Sequence, residues 1–136
     1  MAQDEKIRVL AKKKKKSPKP SFKHFNLKKN IKNILIHAEI SIYPIGTSNT
    51  SASFYIAKAI ESIQGIKEIN YQINSMGTVL ESDSMDKICD ATKSMTEVVH
   101  NLGVSRVEVI LKIDSRRDKN KKMDEKIESI NKYLEK

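Results

Sequence analysis

Two short stretches hold the side chains with chemical potential. The first, SMGTVLESD at 75–83, sets Met76, Val79 and Leu80 among Ser75, Gly77, Thr78 and Glu81. The apolar residues suit a buried strand. The small-polar turn and the carboxylate do not belong in a plain core, so they must meet an ion-pair partner or something outside the chain. The second, KIDSRRDK at 112–119, crowds Lys112, Asp114, Arg116, Arg117, Asp118 and Lys119 into one segment. Arginine offers a planar fork for carboxylates and oxyanions. Two readings stay open for Lys112, Asp114, Arg116 and Arg117: an ion-pair network at a subunit boundary, or an anion-binding site.

Catalytic signatures are poor. No G-x-S-x-G, P-loop, H-E-x-x-H or Cys-His arrangement occurs. The three histidines, His24, His37 and His100, show no convergent spacing for a metal. No catalytic and no metal-ligating residue is assigned, and a non-enzyme is expected. Cys89 lies beside a helical stripe and reads as small buried packing. Met76, Met85 and Met95 read as core fillers.

These residues need elements to hold them. ILIHAEISIY (34–43) alternates, with Ile36, Ala38, Ile40 and Ile42 on one face and His37, Glu39, Ser41 and Tyr43 on the other. Pro44 and Gly46 end that strand. TSNTS (47–51) offers N-caps for a helix that turns Phe54, Ala57, Ile60 and Ile63 inward, with Gly65 as its left-handed C′ residue. IKEINYQINS (66–75) predicts a second strand, SMGT a turn or bulge, and TVLES (78–82) a third. Asp83 or Ser84 caps a helix with a stripe of Met85, Ile88, Thr92, Met95, Val99 and Leu102, ended by Gly103. RVEVILKID (106–114) is a fourth strand, and 123–134 a last amphipathic helix. The order β-α-β-β-α-β is that of a ferredoxin-like α+β fold, with an antiparallel sheet, both helices on one face, and an added C-terminal helix. The other sheet face is left bare. It must be solvated, bind something, or meet a second subunit.

Charge divides the 136-residue chain in two. Residues 1–33 hold 12 Lys+Arg and 2 Asp+Glu, a net of +10, while 34–136 hold 14 and 15. The formal +9 therefore belongs to a basic N-terminal arm, 1–33, with five consecutive lysines, and not to the 34–136 domain. The arm reads as a disordered, solvated tail. Nucleic acid is expected to bind, if at all, only through residues 1–33, nonspecifically, and the lysine run also matches a nuclear-localisation patch. One cysteine, no apolar run of membrane-crossing length and no apolar leader segment lead to the expectation of a cytoplasmic protein without a membrane partner.

EISIYPIGTSNTS, NSMGTVLESD and LGVSRVEVILKIDSRRDK occur in that order, and together they resemble the YkoF-like thiamine-binding protein family over about Ile34 to Ile130. The resemblance implies binding rather than catalysis. It also implies a homo-dimer or homo-tetramer built by sheet packing, with thiamine or its hydroxymethylpyrimidine part as ligand and no further cofactor. The family's S-M-G-T and acidic positions match Ser75, Met76, Gly77, Thr78 and Glu81. Its K-I-D-x-R-R-D run matches Lys112, Ile113, Asp114, Arg116, Arg117 and Asp118. Ser82 departs from the family's glycine. By this resemblance the 75–78 turn and Glu81 border a ligand pocket. The carboxylate would meet the thiazolium or the amino group, the hydroxyls the ring nitrogens, and Met76 or Tyr43 would pack on a flat ring, with Ser41 beside them on the bare face.

Other readings compete. A nucleic-acid module of this topology needs aromatics on the central strands, and only Tyr43 lies near. An acylphosphatase-like hydrolase needs an arginine in the loop after strand one, and PIGTSNTS has none. A structural or regulatory oligomer binding another small ligand, such as an anion, is the remaining alternative.

Overall fold

The computed structural model describes residues 34–135. The arm expected over 1–33 lies outside them. Seven elements follow in order: β1 (Ile36–Ile45), α1 (Ser53–Ile63), β2 (Asn70–Ile73), β3 (Thr78–Ser82), α2 (Met85–Asn101), β4 (Arg106–Asp114) and α3 (Met123–Leu134). The sheet runs β2-β3-β1-β4, with every pair antiparallel. This is the ferredoxin-like α+β arrangement expected.

Alternation builds the core. Ala38, Ile40 and Ile42 of β1 and Leu80 of β3 pack under Ala59, Ile60 and Ile63 of α1 and Ile88, Ala91, Met95 and Val99 of α2. Both helices therefore lie on one face. Ser84 caps α2 in extended conformation, its side chain accepting from the Lys87 N–H. Gly103 ends α2 with φ +94, as a left-handed residue should.

Several expectations fail for local reasons. Gly65 does not adopt the left-handed conformation; Glu68 does, at φ 68, and its carboxylate pairs with Lys87. That turn shortens β2 from the expected 66–75 to four residues. The TSNTS hydroxyls and amide shape their own loop, with Asn49 accepting from the Ser51 N–H, and Ala52 takes the N-cap of α1 without a side-chain bond. Ala57 is exposed, because the buried stripe of α1 centres on Ala59, Ile60 and Ile63. Cys89 is exposed rather than packed. Of the three methionines expected in the core only Met95 is there; Met76 is 82% exposed at a hairpin tip and Met85 sits at the outer end of α2.

Leu80 is fully buried at the centre of the sheet. Leu80→Ala is expected to destabilise the fold by about 2–5 kcal/mol, measured by urea unfolding.

Candidate ligand-binding site

The register sorts the bare face into rows. Asn70, Glu81, His37 and Asp114 form one row across all four strands; Gln72, Val79, Glu39 and Lys112 form the next; Ser41 and Ile110, then Tyr43 and Glu108, follow on β1 and β4.

The first row is closed. Glu81 is only 4% exposed. Its Oε2 accepts from His37 Nε2 at 3.1 Å and from the Met123 backbone N–H at 2.8 Å, and its Oε1 accepts from Asn70 Nδ2 at 3.1 Å. An ionised carboxylate only accepts, so His37 Nε2 carries the proton of that bond. Burial pushes the Glu81 carboxyl up. The bonds from His37, Met123 and Asn70, with the charge of His37, outweigh it and hold the group below its ordinary range. Met123 begins α3, so a helix N-terminus points at the carboxylate, which the dipole favours. Lys126 of α3 pairs with Asp114, and Asn120 Oδ1 accepts from the Leu35 N–H at 3.1 Å. The first turn of α3 is thus pinned over this end of the sheet. Glu81, expected at a pocket rim, is instead a buried hub with both oxygens occupied.

The hairpin between β2 and β3 lies about four residues, or roughly 13 Å, further along β1. The Asn74 N–H donates to Gly77 O at 2.9 Å, and Ser41 Oγ donates to Met76 O at 3.1 Å. A Cβ on Gly77 would meet Ser41 Oγ at 3.0 Å and Ile40 O at 3.1 Å. Gly77 therefore serves the close approach of the hairpin to β1. Ser75 and Met76 stand exposed at the tip, and Tyr43 is 42% exposed on the bare face. Thr78 is buried and pairs with Ile40 and Ile73 on the helix-covered face, opposite to Glu81. The expected set accordingly divides. Ser41, Tyr43, Ser75, Met76 and Gly77 gather at one end, Glu81 lies at the other under α3, and Thr78 faces away.

Between them lies the row of Glu39. Its carboxylate is half exposed, paired among the described residues with Lys112 at 3.7 Å, and it adjoins Ser41 and the hairpin: Cγ of Glu39 lies 3.4 Å from a Cβ built on Gly77. Sequence reading put Glu39 on the bare face but passed it over for Glu81. The strand alternation of β1 already held the signal.

Of the basic run after β4, Arg116 pairs within the chain. Arg116 donates to Asp118 at 2.6 and 2.8 Å, drawing the Asp118 carboxyl down to about 2. Lys126, by bond and by charge, lowers Asp114. Arg117 is exposed. Among the described residues no group of His, Cys, Asp and Glu could hold a metal, and no helix is long and apolar enough to cross a membrane.

A four-stranded antiparallel sheet with helices on one face and a polar, partly open second face defines a small ferredoxin-like α+β protein. The chain belongs to the thiamine-binding protein family, whose model matches residues 38–131. It is 40% identical over 96 residues to the UPF0045 protein of Methanothermobacter thermautotrophicus, covering 71% of this chain and 96% of that one. The crystal structure of a hypothetical protein of Methanocaldococcus jannaschii matches with TM-score 0.65 at 39% identity, covering 71% and 96%. A thiamine biosynthesis/salvage candidate from Thermotoga maritima shares the fold at TM-score 0.60 and 20% identity, covering 71% and 98%.

The Glu81 hub gives a pH dependence with a fixed sign. A carboxyl held below its ordinary 4.5 stabilises the folded state above that pH, and the contribution is lost as pH falls through the lowered value. Asp114 under Lys126 acts in the same sense. Glu81→Gln strands a buried donor and is expected to destabilise by about 1–3 kcal/mol at neutral pH. Chemical unfolding from pH 7 down through the carboxylate range should show the gap to wild type narrowing in acid.

Proposed function

We propose that this protein binds thiamine or a related aminopyrimidine, without catalysis, on the open part of its bare sheet face. The observation that carries the reading is Glu39, an accessible carboxylate beside a hydroxyl, a hairpin backbone and an exposed aromatic, in a chain of a family described as thiamine-binding. Glu39 suits the thiazolium cation or the pyrimidine amino group, because a carboxylate accepts and carries the opposite charge. Ser41 offers an oxygen to a ring substituent. Tyr43 and Met76 present flat or polarisable surface for a ring. Glu81 supports the site from beneath α3 and is not expected to touch the ligand. The role is that of a carrier, buffer or sensor, in the cytoplasm, as a homo-oligomer, with thiamine as ligand rather than as a reacting cofactor.

Calorimetric titration tests this with thiamine, hydroxymethylpyrimidine and thiamine diphosphate in parallel. Saturable binding of one of them is expected. Loss of a charge-assisted hydrogen bond is worth about 1.5–3 kcal/mol, so Glu39→Gln should weaken thiamine binding by roughly ten- to a hundredfold while leaving unfolding almost unchanged. Equal affinity in wild type and Glu39→Gln would remove Glu39 from the site, and no heat with any of the three would end the thiamine reading.

A further inference from the structure

The register of the sheet sets the second row of the bare face in a definite order. Gln72 of β2, Val79 of β3, Glu39 of β1 and Lys112 of β4 stand directly across from one another. Neighbouring strands lie about 4.8 Å apart, so the row spans roughly 14 Å from end to end. Across the sheet it presents an amide, an apolar group, a carboxylate and an ammonium.

Both ends of the row are uncommitted. Among the described residues the Gln72 side-chain amide meets no hydrogen-bond partner, although the residue is only partly exposed. The Lys112 side chain is 79% exposed, and its Nζ stands 3.7 Å from Glu39, longer than a hydrogen bond. The closed row of Glu81 flanks one side of this row, and Ser41 flanks the other.

Charge decides what such a row takes. Glu39 already has a cation beside it. A ligand that brings only a positive ring displaces Lys112 from the carboxylate and leaves two cations side by side, so the exchange gains little. A bare anion on Lys112 meets the opposite difficulty, because Glu39 stands next to it. A ligand with a positive ring and an anionic tail keeps every charge opposed, the ring on Glu39 and the tail on Lys112. An ammonium is a good point partner for a phosphate. The other half of the row suits an aminopyrimidine. The Gln72 amide offers a donor to a ring nitrogen and an acceptor to the amino group, and Val79 offers apolar contact. Thiamine monophosphate carries these parts in this order: aminopyrimidine, methylene, thiazolium, and a two-carbon arm ending in phosphate.

We infer that the site selects the phosphate ester, thiamine monophosphate, over free thiamine, with Lys112 as the selecting residue. The ligand lies across the strands, its pyrimidine toward Gln72 and its phosphate toward the β4 edge. The inference rests on the thiamine reading above and adds to it the ligand's charge and direction.

Calorimetric titration of the full chain with thiamine, thiamine monophosphate and inorganic phosphate tests it, repeated with Lys112→Met, Lys112→Arg and Gln72→Leu. Wild type should bind the ester about tenfold more tightly than thiamine, the worth of one charge-assisted contact. Inorganic phosphate should give no saturable heat. Lys112→Met should weaken the ester to the level of thiamine while thiamine itself binds as tightly as before or more so, a split that loss of the fold would not produce. Lys112→Arg should keep the preference. Gln72→Leu should weaken both ligands together. Equal affinity of wild type for thiamine and its ester, a preference that survives in Lys112→Met, or inorganic phosphate bound as tightly as the ester would overturn the selection and leave the thiamine reading standing. Gln72→Leu binding both ligands as wild type does would overturn the direction. No binding of thiamine or its ester would overturn the inference and the thiamine reading together.

Discussion

A carboxylate taken out of water has to be given hydrogen bonds, and Glu81 recruits them from three separate elements. His37 comes from β1, Asn70 from β2 and the Met123 N–H from the start of α3. The register of β3 between β1 and β2 is what lets one side chain reach the first two. The third bond decides where the C-terminal helix begins. A buried ion is weak evidence for stability in itself. Its structural consequence is strong, because satisfying it fixes the position of α3 against a face that the β-α-β-β-α-β core leaves uncovered.

That placement divides the bare face. One end is sealed by the first turn of α3, with Asn120 and Lys126 adding contacts to Leu35 and Asp114. The remainder, from Glu39 to Tyr43, stays open beside the hairpin that Gly77 lets settle onto Ser41. Two carboxylates of similar sequence setting thus acquire different tasks. Glu81 is spent on holding the fold, and Glu39 is available for chemistry. β4 bounds this open region.

Much of the architecture was legible in the sequence because it rests on period and punctuation. The alternation in β1 and β4, the Ser84 cap and Gly103 gave elements whose bounds the structure reproduces to within a residue or two. β2 was overextended because nothing local announces that Glu68, and not Gly65, takes the left-handed position. The site was legible only in part. Composition and order identify Ser75, Met76, Gly77 and Glu81 as unusual. Whether a polar residue faces the core or the open side depends on strand parity, and parity separates Thr78 from Glu81. The capture of Glu81 by Met123 joins residues 42 positions apart, and no spacing rule reaches that far. Ser41 and Tyr43 are where alternation put them. Cys89 and Met76 were misplaced because small or apolar character was read as burial without a phase to support it.

The most direct measurement is amide chemical-shift mapping of the full chain during titration with thiamine. On this account the shifts centre on Glu39, Ser41, Tyr43 and the Gly77 hairpin, while the amides of Glu81 and Met123 hold still because that hub stays closed. Shifts centred on Glu81 and Met123, with Glu39 to Tyr43 unmoved, would contradict it and show that the ligand enters by opening α3.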